Sequence, residues 1–256
     1  MENMKSFSIK RIVLMMQKTL YENAKSVSIG LITVFGFFSF ILFMSALKDA
    51  EAWNKLQVFY FVGLFIAGLF ISGMAFANFR NKEKTLSWLT LPASISEKLI
   101  SEWLLTTVVF ISVYSAIFYV FNLIVFLIGD VFNFEVGFIN IFTQETLTVF
   151  LHYIIIQSIL LAGAATFKKV PLFFTISTVF IFALILTFYI SILALFIKGQ
   201  FESYNFDGSG IHIRGDDFNY NLKNHWLIKV PKTMYYYITA PVFWIYTYFK
   251  IKEKEA

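Results

Sequence analysis

The chain has 256 residues, of which 58% are hydrophobic, 20% aromatic and 14% charged, with no cysteine and a formal net charge of +5. Its apolar residues fall in long runs where a soluble domain would alternate them with polar ones, so the composition specifies an integral membrane protein. The missing cysteine excludes a disulfide framework, a thiolate metal site and a catalytic thiol; the basic residues sit at the ends of apolar runs and form no aromatic-interleaved patch, which argues against a nucleic-acid partner.

Residues 1–26 set Lys5, Lys10, Arg11, Lys18 and Lys25 around Phe7, Ile9, Ile12, Val13, Met16 and Leu20. The three- and four-residue spacing of the apolar set makes one helical face and predicts an amphipathic helix lying in the membrane interface. A signal peptide is not expected, because the charged region is too long and no small-residue cleavage site accompanies the full-length apolar run that follows. Crossing a hydrocarbon core about 30 Å thick takes about 20 apolar helical residues. Six runs approach or exceed that: 27–47, 56–77, 103–128, 147–167, 170–196 and 233–249. The expected fold class is therefore all-α, a single transmembrane domain of six helices over residues 1–256. The sixth run is short and carries Pro241, with Tyr235, Tyr236 and Tyr237 at one end and Tyr246 and Tyr248 at the other as interface anchors.

Lysine and arginine orient these runs. With a cytoplasmic N-terminus, the inner segments hold the five basic residues of the arm, then Arg80, Lys82, Lys84 and Lys98, then Lys168 and Lys169, then Lys250, Lys252 and Lys254. The two short outer loops hold only Lys48 and Lys55, so both termini and the 78–102 loop are predicted to be cytoplasmic. No Asp, Glu, Lys or Arg falls inside a span; the polar residues there are His152, Asn122, Gln157 and scattered Ser and Thr. An ion-coupled carrier usually keeps an ionisable group in the membrane, and its absence argues against proton-driven transport. His152 reads as a hydrogen-bonded interfacial residue. Gly63, Ala67, Gly68, Ser72 and Gly73 in the second span, with Gly163, Ala164 and Ala165 in the fourth, read as close-packing positions. Phe173, Phe174, Phe180, Phe182 and Phe188 in the fifth suit lipid contact, and an amphipathic cargo equally. The polar outer segment 197–232 reads as a solvated loop with a short hairpin around Ile211 to Arg214, since its Asp and Gly residues miss calcium-loop spacing.

The longest polar interruption among the first five runs is FRNKEKTLSWLTLPASISEKLISE, residues 79–102. Ser94-Ile95-Ser96-Glu97 is an S-x-x-E capping box after Pro92, which predicts a helix starting at Ile95 and continuing through Trp103 into the third span. Thr85 to Leu91 is expected to form a short helix, with an exposed Trp88 and its neighbouring leucines in need of a partner. The run Glu83-Lys84-Thr85-Leu86, followed by Leu91-Pro92-Ala93-Ser94 and Glu97-Lys98, resembles permease subunits of type-2 ABC exporters, especially those of Bacteroidetes. Lys84-Thr85 departs from the glycine that many relatives carry after the basic residues.

The resemblance implies that this loop couples a permease to a separate ATPase subunit. Leu86, Trp88, Leu89 and Leu91 would supply apolar contact and Glu83 and Lys98 charge contacts. Ser94 with Glu97 would hold the angle of the turn, and Thr85 and Pro92 complete the site. It further implies two ATPase copies carrying ATP and Mg, a second permease subunit of identical or similar sequence, surrounding membrane lipid, and residence in the bacterial cytoplasmic membrane. No G-x-x-x-x-G-K-[ST] phosphate loop occurs, so hydrolysis is expected on the partner and this chain is not expected to be an enzyme. The alternative is a non-transporting membrane scaffold or a membrane-embedded enzyme, though the spans hold no paired carboxylates, His pair or nucleophile with an evident base.

Overall fold

The computed structural model describes residues 7–46, 56–76, 85, 88, 90–131, 143–198, 203–207, 210–215, 218–221 and 233–255. Its helices are α1 (Ile9–Ala46), α2 (Leu56–Met74), α3 (Ile95–Leu104), α4 (Phe110–Val131), α5 (Gln144–Thr166), α6 (Pro171–Lys198) and α7 (Thr239–Glu255). A π turn, Leu105–Val109, joins α3 to α4 in one uninterrupted helical stretch. Among the described residues, five stretches are long and apolar enough to cross a membrane: Ile9–Ile41, Leu56–Met74, Ile95–Leu127, Gln144–Thr166 and Pro171–Ile192.

Three expectations differ. The amphipathic arm and the first span are a single helix of 38 residues, where separate helices over 1–26 and 27–47 were expected. No Gly or Pro lies between Ile9 and Ile29 to break it. At 1.5 Å per residue α1 is about 57 Å long, nearly twice the hydrocarbon thickness. The sixth run does not reach the length of the others: α7 has 17 residues and ends in a charged turn, and the helical turn 233–237 before it stops at Ile238. Pro241 accounts for the stop, because it has no N–H to donate and its ring crowds the carbonyl of Tyr237.

The third difference is a small antiparallel sheet in the outer segment, which corrects the all-α class there. It comprises β1 (Ser203–Asp207), β2 (Gly210–Gly215) and β3 (Phe218–Asn221) in that order. Its register pairs Tyr204 with Ile213, Phe206 with Ile211 and Ile213 with Tyr220. Apolar and polar residues alternate along all three strands, the period-two pattern of a sheet, and the hairpin expected around Ile211 to Arg214 falls on β2.

The bundle closes around α5, which packs against α2, α6 and α7. Small residues make this possible. A Cβ placed on Gly68 would collide with the Tyr153 ring, one on Gly163 with Thr175, and one on Gly73 would lie 3.0 Å from Leu172. These glycines therefore set the helix separations, as expected for packing without a hydrophobic drive between helices. The upper core is aromatic: Tyr60, Tyr114, Phe118 and Tyr153 are buried with Leu64 and Phe110. Its hydroxyls are satisfied, with Tyr60 2.8 Å from Ser115 Oγ, Tyr114 donating to the Tyr60 carbonyl at 3.0 Å and Tyr153 to the Thr106 carbonyl at 2.7 Å. His152 has the hydrogen-bonded role expected of it, with Nδ1 2.7 Å from the Thr148 carbonyl and Nε2 3.2 Å from Tyr236 Oη.

Gly163→Ala is expected to cost about 1–3 kcal/mol by overpacking, whereas Gly30→Ala, where a Cβ meets nothing within 4 Å, should be neutral or better. Thermal unfolding of the two variants in detergent checks this; equal midpoints would contradict the packing account.

Candidate functional site

The start of α3 is built from the local signal in the sequence. Ser94 is in extended backbone, its hydroxyl accepts from Glu97 N at 3.3 Å, and Glu97 Oε2 accepts from Ser94 N at 2.7 Å. This is the reciprocal capping box that S-x-x-E specifies, and the helix starts at Ile95 as predicted.

Glu97 does more than cap its own helix. Its carboxylate accepts from Ser8 N at 2.7 Å and from Arg11, through Nη2 at 2.8 Å and Nε at 3.2 Å. Ser8 immediately precedes α1 and its carbonyl accepts the first helical bond, from Ile12 N at 3.3 Å. One carboxylate thus sits at the N-termini of two helices, where unpaired N–H groups and the helix dipole favour negative charge. The side chain is fully buried. Burying a carboxylate costs several kcal/mol unless donors surround it, and here a forked guanidinium and two backbone N–H groups do so.

Below this clamp lies an apolar knot of Ala75, Phe76, Trp88, Leu161, Ala164, Ala165 and Ile251, flanked by Leu91, Ile95, Leu99 and Trp103. It ties the ends of α2, α5 and α7 to the 79–102 loop. Phe76, with φ 53°, turns the chain out of α2 in the left-handed conformation. Its ring meets Trp88 edge-on at 6.0 Å, and Lys98 Nζ stands 4.8 Å from the Trp88 ring centre, within cation–π range. Lys254 donates to the Ala165 carbonyl at the C-terminal end of α5, where a cation complements the helix dipole. Burial, with Lys168 and Lys250 nearby, draws its ammonium down to about 8.

The residues predicted for partner contact divide. Glu83, Leu86 and Leu89 lie outside the described residues, as do Arg80, Lys82 and Lys84. Of the expected short helix only Thr85 and Trp88 before the turn are described, each in helical conformation. Trp88, however, is only 2% exposed and Lys98 1%, so neither offers the free surface that the sequence suggested. The chain itself supplies the partner that the tryptophan needs. Leu91 is half-buried against the same knot, with its N–H donating to the Trp88 carbonyl at 3.4 Å, while Thr90 and Pro92 are exposed. Ser8, Arg11, Phe76 and Ile251 were not foreseen in the site. Only the need of a buried Glu97 for a cation could have pointed to Arg11, and no local pattern spans that separation.

No family model, no curated protein and no solved structure matches this chain.

Arg11→Ala is expected to lower stability by about 3 kcal/mol, because it leaves a buried carboxylate short of its counter-ion. The double variant Arg11→Ala/Glu97→Ala should lose clearly less than the two single losses combined, since both remove one interaction. Unfolding in detergent measures the cycle; additive losses would contradict the clamp.

Proposed function

We propose that this protein is the membrane-spanning permease subunit of an ATP-driven ABC transporter, an exporter by its resemblance, and that residues 79–102 couple it to a separate ATPase. One observation carries the reading. The capped start of α3 is continuous with a spanning helix, is clamped to α1 through Glu97, and ends in the exposed turn Thr90 to Pro92. A push on that turn therefore moves two long helices as one body, which is the mechanical property a coupling element requires.

Burial of Trp88 and Lys98 refines the roles. In this reading they brace the loop from within, while Thr90, Pro92 and the neighbouring Glu83, Leu86 and Leu89 meet the ATPase, as an amphipathic helix meets a groove. Six spans follow if 233–249 crosses the membrane despite the interruption before Pro241. Both termini and the coupling loop then lie in the cytoplasm, at the end of the bundle where Arg11, Glu97, Lys168 and Lys254 gather. Two such subunits, identical or similar, would complete the membrane part, with ATP and Mg held by the ATPase pair in the bacterial inner membrane.

Material purified through a tag on this chain under mild detergent should carry an ATPase with measurable turnover. Glu83→Lys should lose that partner while remaining in the membrane. If no ATPase accompanies the wild-type chain, the coupling reading fails and a scaffold takes its place.

A further inference from the structure

Between α1, α2 and the π turn lies an open cleft with a cavity volume of about 110 Å3. Its walls are almost wholly apolar, with Val27, Leu31, Ile71, Met74, Val109 and Phe110 among them. At one end stands Glu102, the one ionisable residue among those that line it and 3% exposed. Its side chain accepts a single hydrogen bond from the described residues, from Thr19 Oγ1 at 3.3 Å.

A carboxylate in such a place ordinarily has a cation against it, yet the nearby lysines are directed elsewhere. Lys98, one turn earlier on α3, stands over the Trp88 ring. Lys18 on α1 pairs with Glu22 at 3.8 Å, and Arg11 is engaged with Glu97. Asn23, at the same end, donates one of its two amide N–H groups to the Thr19 carbonyl at 3.0 Å, and its carboxamide oxygen is an acceptor. The polar end of the cleft thus offers a carboxyl group and a carboxamide, and the rest offers hydrocarbon.

We propose that this cleft is a binding site for an amphiphile carrying a primary ammonium group, with the ammonium on Glu102 and Asn23 and the alkyl part along Val27, Ile71 and Val109. The chemistry is the same for an aminophospholipid headgroup and for a free long-chain amine. The site needs only this chain, so it stands or falls independently of any ATPase partner.

The test uses the full-length protein in neutral detergent. Radiolabelled dodecylamine should bind saturably at one site per chain, and dodecanol should not compete. Glu102→Gln, which keeps the shape and removes the charge, should weaken binding by about ten-fold or more, the usual worth of a charge-assisted hydrogen bond. Val27→Trp, which fills the cleft and leaves the carboxylate in place, should abolish it and guards against a folding defect in the first variant. Lipid extracted from the purified protein distinguishes the sources. Phosphatidylethanolamine retained stoichiometrically by wild type and lost in Glu102→Gln identifies a lipid site; uptake of dodecylamine with no retained lipid identifies a free-amine site. Equal binding by wild type and Glu102→Gln, or equal competition by dodecanol, overturns the proposal.

Discussion

The Glu97 carboxylate is shared between two helix starts, and the end of the bundle is arranged around it. It caps α3 through Ser94, stands before α1 at Ser8, and draws Arg11 across to complete its shell. Each donor alone is weak, but together they make a buried charge tolerable. Because α3 runs without interruption into α4, and α1 runs without interruption from the arm into the first span, this one group joins two of the longest helical stretches. The apolar knot around Trp88 then fastens the ends of α2, α5 and α7 to the same place. The exposed turn from Thr90 to Pro92 is what this assembly presents outward.

The membrane portion follows a different logic. With no hydrophobic drive between helices in lipid, close approach depends on glycine and on satisfied polar groups. Gly68 makes room for the Tyr153 ring, and Tyr153 in turn donates to the Thr106 carbonyl in the widened π turn. Thr106 also accepts from Gln157 Nε2 at 2.6 Å. The π turn is therefore the meeting point of α2, α5 and the long third stretch. It also forms one wall of the cleft at Glu102, so core packing and the cleft share a boundary.

How much of this was legible in the sequence depended on range. The capping box at Ser94 and Glu97, the start at Ile95 and the first five apolar runs are encoded within a few residues, and local periodicity reports them directly. The small residues at Gly68 and Gly163 announced close packing without naming Tyr153 or Thr175. Trp88 was misread because its burial depends on Phe76, Leu161 and Ile251, which only the fold brings together. The unbroken α1 is not visible to local periodicity, because an amphipathic run and an apolar run carry different patterns although nothing between them stops a helix. Glu97 was legible as a capping-box residue, but Arg11, far away in sequence, carries no local sign that it pairs with it. The sheet could have been read further than its middle strand, since Tyr204, Phe206, Phe218 and Tyr220 continue the alternation.

The central claim is that Glu97 locks the lower half of α1 to the rest of the bundle. The chain has no cysteine, so spin labels can be placed on Lys10→Cys and Lys169→Cys, both exposed positions, without background. Pulsed electron–electron distance measurement in detergent should give one narrow distribution in the otherwise wild-type chain and a broad one when Glu97→Ala is added. An equally narrow distribution in the presence of Glu97→Ala would contradict the account.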